Sequence, residues 1–170
     1  MNVPAKSALA TLLVAGGLNA PIFAAGPCEN APYSHFDFWL GKWDVHTPDG
    51  KRVGENFIKK AYNGCVVTER YKNKQGEYGT SVNIFDASTG KWYQTWVDKT
   101  GLRLQLAGGL EGESMVMTGK TVGEGGQTIN HKISWTPEEN GSVIQHWQTN
   151  SSESPEWKTL FNGVYTKHKD

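Results

Sequence analysis

The chain has 170 residues, among them seven tryptophans and twenty glycines, and its acidic and basic residues balance to a formal net charge of zero. That length allows one domain with a sizeable core and leaves no room for a second. Nucleic-acid binding is disfavoured because the lysines and arginines stand singly along the chain, without the clusters that phosphate contacts require. The many glycines and tryptophans are typical of β-rich proteins with aromatic binding surfaces.

Residues 1–25 have the features of a signal peptide. One basic residue, Lys6, precedes a run of apolar and small side chains, and Ala24 and Ala25 provide small residues for cleavage. The apolar run is too short for a retained membrane helix. We therefore predict a periplasmic or secreted protein with no membrane attachment after cleavage, whose single domain spans residues 26–170.

Cys28 and Cys65 are the two cysteines of the chain. In an oxidising compartment an even pair favours one disulfide, which ties the N-terminal arm to the rest of the domain. The alternatives are a reactive thiol or a metal pair, and a metal pair lacks a neighbouring histidine.

About ten short stretches with alternating apolar and polar residues follow the leader, each bounded by Gly, Asn, Asp or Pro. Short turns such as Asn63-Gly64 and Asn140-Gly141 make consecutive strands antiparallel. Because an open meander exposes two edges, we predict an all-β fold in which the strands close into a single antiparallel up-and-down barrel. The predicted strands are 38–46, 52–61, 65–72, 80–86, 91–98, 102–108, 114–120, 128–136, 142–149 and 157–167.

The alternation also predicts which side chains point inward. The stretch 91–98 carries Gln94 and Asp98 on the same face as two indoles, a combination that a dry core does not select. Aromatic walls with a few polar groups fixed among them are typical of a small-molecule site. The alternative is that these faces point to solvent, as in an adhesive module. The predicted ligand-binding residues are Tyr71, Asn83, Phe85, Trp92, Gln94, Trp96, Trp135, Gln145 and Trp147.

The block 36–45, Phe-Asp-Phe-Trp-Leu-Gly-Lys-Trp-Asp-Val, resembles the opening signature of a family of secreted bacterial proteins without assigned function. Its Gly41-Lys42-Trp43 is also similar to the first strand of the calycins, which include lipocalins, fatty-acid-binding proteins and nitrobindins. The resemblance implies a calycin-like barrel in which Trp43 closes one end by packing against a basic residue. Further positions that fit the pattern of the secreted family include Asn56, Cys65, Glu69, Ser81, Asn83, Trp92, Gln94, Trp96, Asp98, Trp135, Gln145 and Trp147.

Metal and cofactor chemistry have little support in the sequence. The five histidines occupy five separate segments without the spacing of a metal site, and neither a nucleophile elbow nor a phosphate-binding glycine loop is present. A haem bound as in the nitrobindins, which the resemblance allows, would use His131 as its axial ligand. We predict no metal and no cofactor.

The enzymatic alternative is acid-base catalysis without a cofactor. The candidate catalytic residues are Glu69, Asp98 and His131, because a carboxyl group walled by indoles has its charged form disfavoured and its pKa raised. Such groups suit a lyase, isomerase or hydratase acting on a small aromatic or sugar-like substrate. The competing interpretation places the two carboxylates at the barrel rim in ion pairs. The first prediction is therefore a barrel that binds a small apolar or aromatic molecule, and the sequence leaves that molecule and the oligomeric state open.

Overall fold

The structure is a computed structural model, and it describes residues 26–169. These residues form ten antiparallel strands that close into one barrel, which confirms the predicted fold class. Each strand pairs with its neighbours in sequence, and β1 pairs with β10 to complete the closure. The predicted signal peptide lies outside the described residues. The strands are β1 (Gly41–His46), β2 (Arg52–Ala61), β3 (Val66–Asn73), β4 (Gly76–Asp86), β5 (Lys91–Asp98), β6 (Arg103–Glu111), β7 (Ser114–Val122), β8 (Thr128–Pro137), β9 (Val143–Ser151) and β10 (Lys158–Lys167).

The start of the first strand differs from its prediction. β1 begins at Gly41 and does not include residues 38–40, because Asp37–Trp39 forms a short 3-10 helix. In such a helix side chains three residues apart lie on one side, and this places Phe36 and Trp39 together, with ring centroids 4.8 Å apart. Both side chains are fully buried. The backbone conformation of this segment is therefore set by the burial of the two rings and not by strand alternation.

The predicted disulfide between Cys28 and Cys65 is confirmed. Cys65 lies just before β3, so the bond fixes the N-terminal arm, residues 26–40, to the turn between β2 and β3. A disulfide is typical of proteins in an oxidising compartment.

The Gly-x-Trp motif has a clear structural basis. Lys167 lies over the Trp43 ring, with its Nζ atom 3.6 Å from the centroid, and donates a hydrogen bond to the Leu40 carbonyl at 2.7 Å. Gly41 has a φ of 133°, and a Cβ at this position would lie 2.7 Å from the lysine nitrogen. Glycine thus makes room for the basic residue that packs against Trp43, the contact that the calycin resemblance implies.

The two ends of the barrel differ. At one end, which we call the closed end, the N-terminal arm contributes Phe36 and Trp39 to an aromatic cluster of five rings. Phe36 contacts the rings of Trp92 and Trp135 at 5.8 Å and 5.2 Å, and all three are buried. The other end, which carries the β3–β4 and β5–β6 turns, we call the open end. The aromatic cluster consists of Phe36, Trp39, Phe85, Trp92 and Trp135.

Candidate functional site

A cavity of about 410 Å³ occupies the open end of the barrel. Its volume lies in the range of small-molecule sites, which bury most of a ligand against apolar walls and orient it with a few polar groups. The cavity fits that description, because aromatic and aliphatic side chains alternate with carboxyl, amide and phenol groups. Its lining residues are Glu69, Tyr71, Asn73, Tyr78, Gln94, Trp96, Asp98, Thr100, Leu102, Leu104, Ile133, Gln145, Trp147, Leu160, Phe161 and Tyr165.

The structure brings together part of the predicted site at this cavity. Five of the predicted ligand-binding residues line it: Tyr71, Gln94, Trp96, Gln145 and Trp147. Two of the three candidate catalytic residues, Glu69 and Asp98, line it as well.

The other predicted residues lie elsewhere inside the barrel. Phe85, Trp92 and Trp135 belong to the aromatic cluster at the closed end, where Phe85 and Trp92 have ring centroids 6.2 Å apart. Asn83 is fully buried beside Gln94, and His131 is buried behind Trp147. These side chains point into the barrel, as the alternation predicted. They do not line the cavity, which differs from their prediction as ligand-binding residues.

Hydrogen bonds hold the two indoles of the cavity in place. Trp96 donates from Nε1 to an Asp98 carboxylate oxygen at 3.1 Å, and Trp147 donates from Nε1 to Nδ1 of His131 at 3.1 Å. The second ring nitrogen of His131 lies 2.7 Å from the Thr121 hydroxyl. Since Nδ1 accepts, Nε2 carries the proton of the neutral ring, and burial lowers the pKa of His131, which favours that neutral form. In this arrangement His131 fixes the orientation of an aromatic wall.

Asp98 is also committed to neighbouring groups. One carboxylate oxygen accepts from the backbone N–H of Thr100 at 2.9 Å and from its hydroxyl at 2.6 Å, while the other accepts from Trp96. Partial burial works to raise the pKa of Asp98, but these hydrogen bonds outweigh it and hold the pKa below its usual value. Asp98 is therefore an ionised group that shapes the turn and fixes an indole.

Glycines packed against the rings make room for the aromatic walls. A Cβ on Gly79 would lie 2.4 Å from the Trp96 ring, so the indole packs directly on the β4 backbone. The same close packing joins Gly54 to Tyr71 and Gly163 to Phe161, where the nearest ring atoms would lie 2.7 Å and 2.6 Å from a Cβ. These glycines position three of the cavity's aromatic side chains.

Glu69 belongs to a buried chain of hydrogen-bonded polar side chains. Asn56 donates to one Glu69 carboxylate oxygen at 2.6 Å, and Ser81 donates to the other at 2.7 Å. Asn83 donates to the Ser81 hydroxyl at 3.0 Å, and Gln94 donates to the Asn83 carbonyl at 2.7 Å. We call these five residues, which lie on four adjacent strands, the polar chain.

One contact fixes the direction of the polar chain. The Asn83 amide nitrogen also donates to the Val67 carbonyl at 3.0 Å, and a backbone carbonyl can only accept. The Asn83 carbonyl must then accept from Gln94, and the Ser81 hydroxyl, which already accepts from Asn83, gives its proton to Glu69. Both oxygens of Glu69 are thus acceptors, which suits an ionised carboxylate.

Burial and hydrogen bonding act in opposite directions on Glu69. Burial is the larger effect and raises the pKa of Glu69 to about 7, although the hydrogen bonds from Ser81 and Asn56 lower it. Burial also raises the pKa of the phenols of Tyr71 and Tyr165, so both stay neutral near neutral pH. The cavity therefore contains one carboxyl group that changes its charge close to neutral pH.

Sequence reasoning did not identify several cavity residues. Tyr78 lies in β4, which begins at Gly76, whereas the predicted strand began at residue 80. Phe161 and Tyr165 share the inward face of β10, and alternation along 157–167 was the signal that could have identified them. Tyr165 donates a hydrogen bond to the carbonyl oxygen of Gln145.

Among residues 26–169, no group of three or more histidine, cysteine, aspartate or glutamate side chains is arranged to hold a metal ion. In the same part of the chain, no helix is long and apolar enough to span a membrane. Neither the protein-family models nor the curated proteins that were compared with this chain match it.

Proposed function

We propose that the protein binds a small, largely apolar or aromatic molecule in the cavity at the open end of the barrel. The observation that carries this proposal is a volume of about 410 Å³ whose aromatic walls are already oriented by hydrogen bonds. Side chains that are fixed before binding lose little entropy when a ligand arrives, so such a site favours binding.

The calycin-like interpretation supports the same function. A closed antiparallel barrel with an N-terminal arm across one end, and a lysine packed on the tryptophan of a Gly-x-Trp strand, is the arrangement expected of that group. Barrels of this size either fill their interior with side chains or hold one small ligand. In this chain the aromatic cluster fills the closed end, and the cavity remains at the open end.

We also propose that the protein is exported to the periplasm or secreted. The leader-like residues 1–25 and the disulfide between Cys28 and Cys65 support this location. N-terminal sequencing of the protein from a periplasmic or culture-medium fraction tests it, and the expected first residue lies close to position 26.

Intrinsic tryptophan fluorescence tests the binding function. Trp96 and Trp147 line the cavity. Some members of a panel of small aromatic compounds should therefore quench or blue-shift the tryptophan emission, and this change should saturate as the compound is added. Trp147→Ala should weaken that binding about tenfold or more, because it removes one wall of the cavity. The matched control is Trp157→Ala, which removes a tryptophan that is 40 % exposed and does not line the cavity.

A response that is unchanged in the Trp147 variant, or lost equally in the Trp157 variant, would count against binding in the cavity. Mass spectrometry of the protein purified under native conditions gives a second measurement, since a tightly held ligand should co-purify with it.

The second candidate function is cofactor-free acid-base catalysis, and the pKa of about 7 at Glu69 favours it. A carboxyl group that titrates near the working pH can both accept and donate a proton. Asp98 and His131 are less suited to this role, because hydrogen bonds hold the pKa of Asp98 below its usual value and His131 does not line the cavity. If the protein is an enzyme, Glu69→Gln should abolish turnover while ligand binding is retained.

A further inference from the structure

We infer that the ligand carries a protonated amine, which Glu69 pairs with and the aromatic walls of the cavity surround. This inference rests on the proposed function, since it names the chemical class of molecule that the same cavity takes.

The charges around the cavity are of one sign. Among the described residues that line it are two carboxyl groups, Glu69 and Asp98, and no lysine, arginine or histidine. Lys99 lies 5.2 Å from the centre of the Tyr78 ring but is not a lining residue. The deeper carboxylate remains without a cation inside the cavity.

Glu69 is almost fully buried, with 6 % of its surface exposed. Its protein partners, Asn56 and Ser81, are neutral donors, so their hydrogen bonds stabilise a negative charge without neutralising it. Burying an ionised carboxylate without a counterion is costly, and a cation brought by a ligand would remove that cost. The polar chain thus holds the carboxylate in place to pair with a cation, and no lysine, arginine or histidine among the lining residues provides one.

Acceptor atoms of the polar chain also suit a ligand that donates hydrogen bonds. Both indole N–H groups already donate within the protein, to Asp98 and His131. The Gln94 amide nitrogen donates to Asn83, which leaves the Gln94 carbonyl oxygen to accept from a ligand. Glu69 and Gln94 therefore present acceptors, and an ammonium group has three donors and no acceptor.

The walls are of the kind that attract cations. Rings of tyrosine and tryptophan carry negative electrostatic potential on their faces, so they attract a cation, most strongly where water is excluded. Tyr71, Tyr78, Trp96 and Trp147 all line the cavity, and Tyr71 and Tyr78 have ring centroids 6.0 Å apart. Aromatic rings around a buried carboxylate suit an ammonium group attached to an apolar body.

The test compares three small ligands of similar shape and different charge: 2-phenylethylamine, 2-phenylethanol and phenylacetate. None of them absorbs where tryptophan is excited, so fluorescence titration at pH 7.5, checked by calorimetry, can follow all three. We expect the amine to bind at least about tenfold more tightly than the alcohol, because a charged hydrogen bond is stronger than a neutral one, and phenylacetate to bind least. In Glu69→Gln the preference of the protein for the amine over the alcohol should fall to about threefold or less.

Glu111→Gln is the matched control, because it makes the same chemical change at an exposed position outside the cavity and should keep the wild-type preference. The comparison of the three ligands on wild-type protein needs no variant, so it decides the question even if Glu69→Gln fails to fold. Binding of the alcohol or of phenylacetate as tightly as the amine overturns the inference and leaves the proposed function standing. If none of the three ligands binds, and the wider aromatic panel gives no response either, the proposed function itself fails.

Discussion

The tryptophans at the two ends of the barrel are used in different ways. At the closed end Trp39, Trp92 and Trp135 are buried, and their indole nitrogens have no hydrogen-bond partner among the described residues. At the open end the indole nitrogens of Trp96 and Trp147 both donate to side chains. The closed end therefore uses tryptophan as apolar volume, and the large buried area offsets the unpaired N–H groups. The open end fixes the orientation of each ring, as a binding wall requires.

The largest expected effect tests whether the closed end carries the stability of the barrel. Trp39→Ala should lower the free energy of unfolding by about 3 to 5 kcal/mol, because it leaves a cavity among packed rings. Trp147→Ala, at the open end, should cost only about 1 to 2 kcal/mol, because that ring is partly exposed. Urea unfolding followed by circular dichroism measures both without depending on tryptophan emission.

Trp39→Phe is the matched control for the closed end. It keeps most of the ring volume and removes a buried N–H group that has no partner in the described part of the chain, so it should cost less than about 1.5 kcal/mol. An equal loss of stability in Trp39→Ala and Trp147→Ala would mean that the two ends are not specialised in this way.

The disulfide gives the next largest effect and acts on the closed end alone. Replacing Cys28 and Cys65 together by serine should lower the free energy of unfolding by about 3 to 4 kcal/mol, since the bond joins positions 37 residues apart. Ligand affinity at the open end should change less than about threefold, because neither residue lines the cavity. Unfolding with and without reductant measures the effect. Reductant should destabilise the wild type and leave the serine variant unchanged, and equal sensitivity of both proteins would contradict the prediction.

The same contrast between the ends explains what could be predicted from the sequence. Strand positions follow from local alternation and turn residues, and β2 and β5 have the predicted bounds, Arg52–Ala61 and Lys91–Asp98. The N-terminal arm was predicted less well. Phe36 and Trp39 adopt a helical turn because both rings pack across the closed end, and sequence alternation contains no information about that contact.

The sequence predicted which face of each strand points into the barrel. It did not predict how far along the barrel each side chain lies. Trp92 and Trp96 share one face of β5, but four residues of strand separate them by roughly 13 Å. One therefore lies under the arm and the other in the cavity, and the position of the arm is set by contacts distant in sequence. The hydrogen-bond partners of Glu69 could not be predicted for the same reason. Asn56 and Ser81 lie on the two strands that pair with β3, and only that pairing brings them to Glu69.

The smallest expected effect concerns the charge at the open end. The pKa of Glu69 is raised by burial from 4.5 to about 7 in the folded protein. As pH rises from about 5 to 8, the unfolded chain ionises first and the folded protein retains its proton, so stability falls. Relative to Glu69→Gln, the wild type should lose about 2 to 3 kcal/mol over this range and change little below pH 4.5 or above pH 8. Urea unfolding at a series of pH values measures the difference.

Taking the difference between wild type and Glu69→Gln cancels the titration of all other groups that both proteins share. The corresponding difference for Glu111→Gln should stay flat across the same range, because that carboxyl group is exposed. A difference that rises with pH would mean that the hydrogen bonds from Asn56 and Ser81 outweigh burial and keep Glu69 ionised in the folded state. Saturating 2-phenylethylamine should flatten the fall in stability, because a cation beside Glu69 lowers its pKa toward the unfolded value. That change links the charge of the carboxyl group directly to the occupant of the cavity.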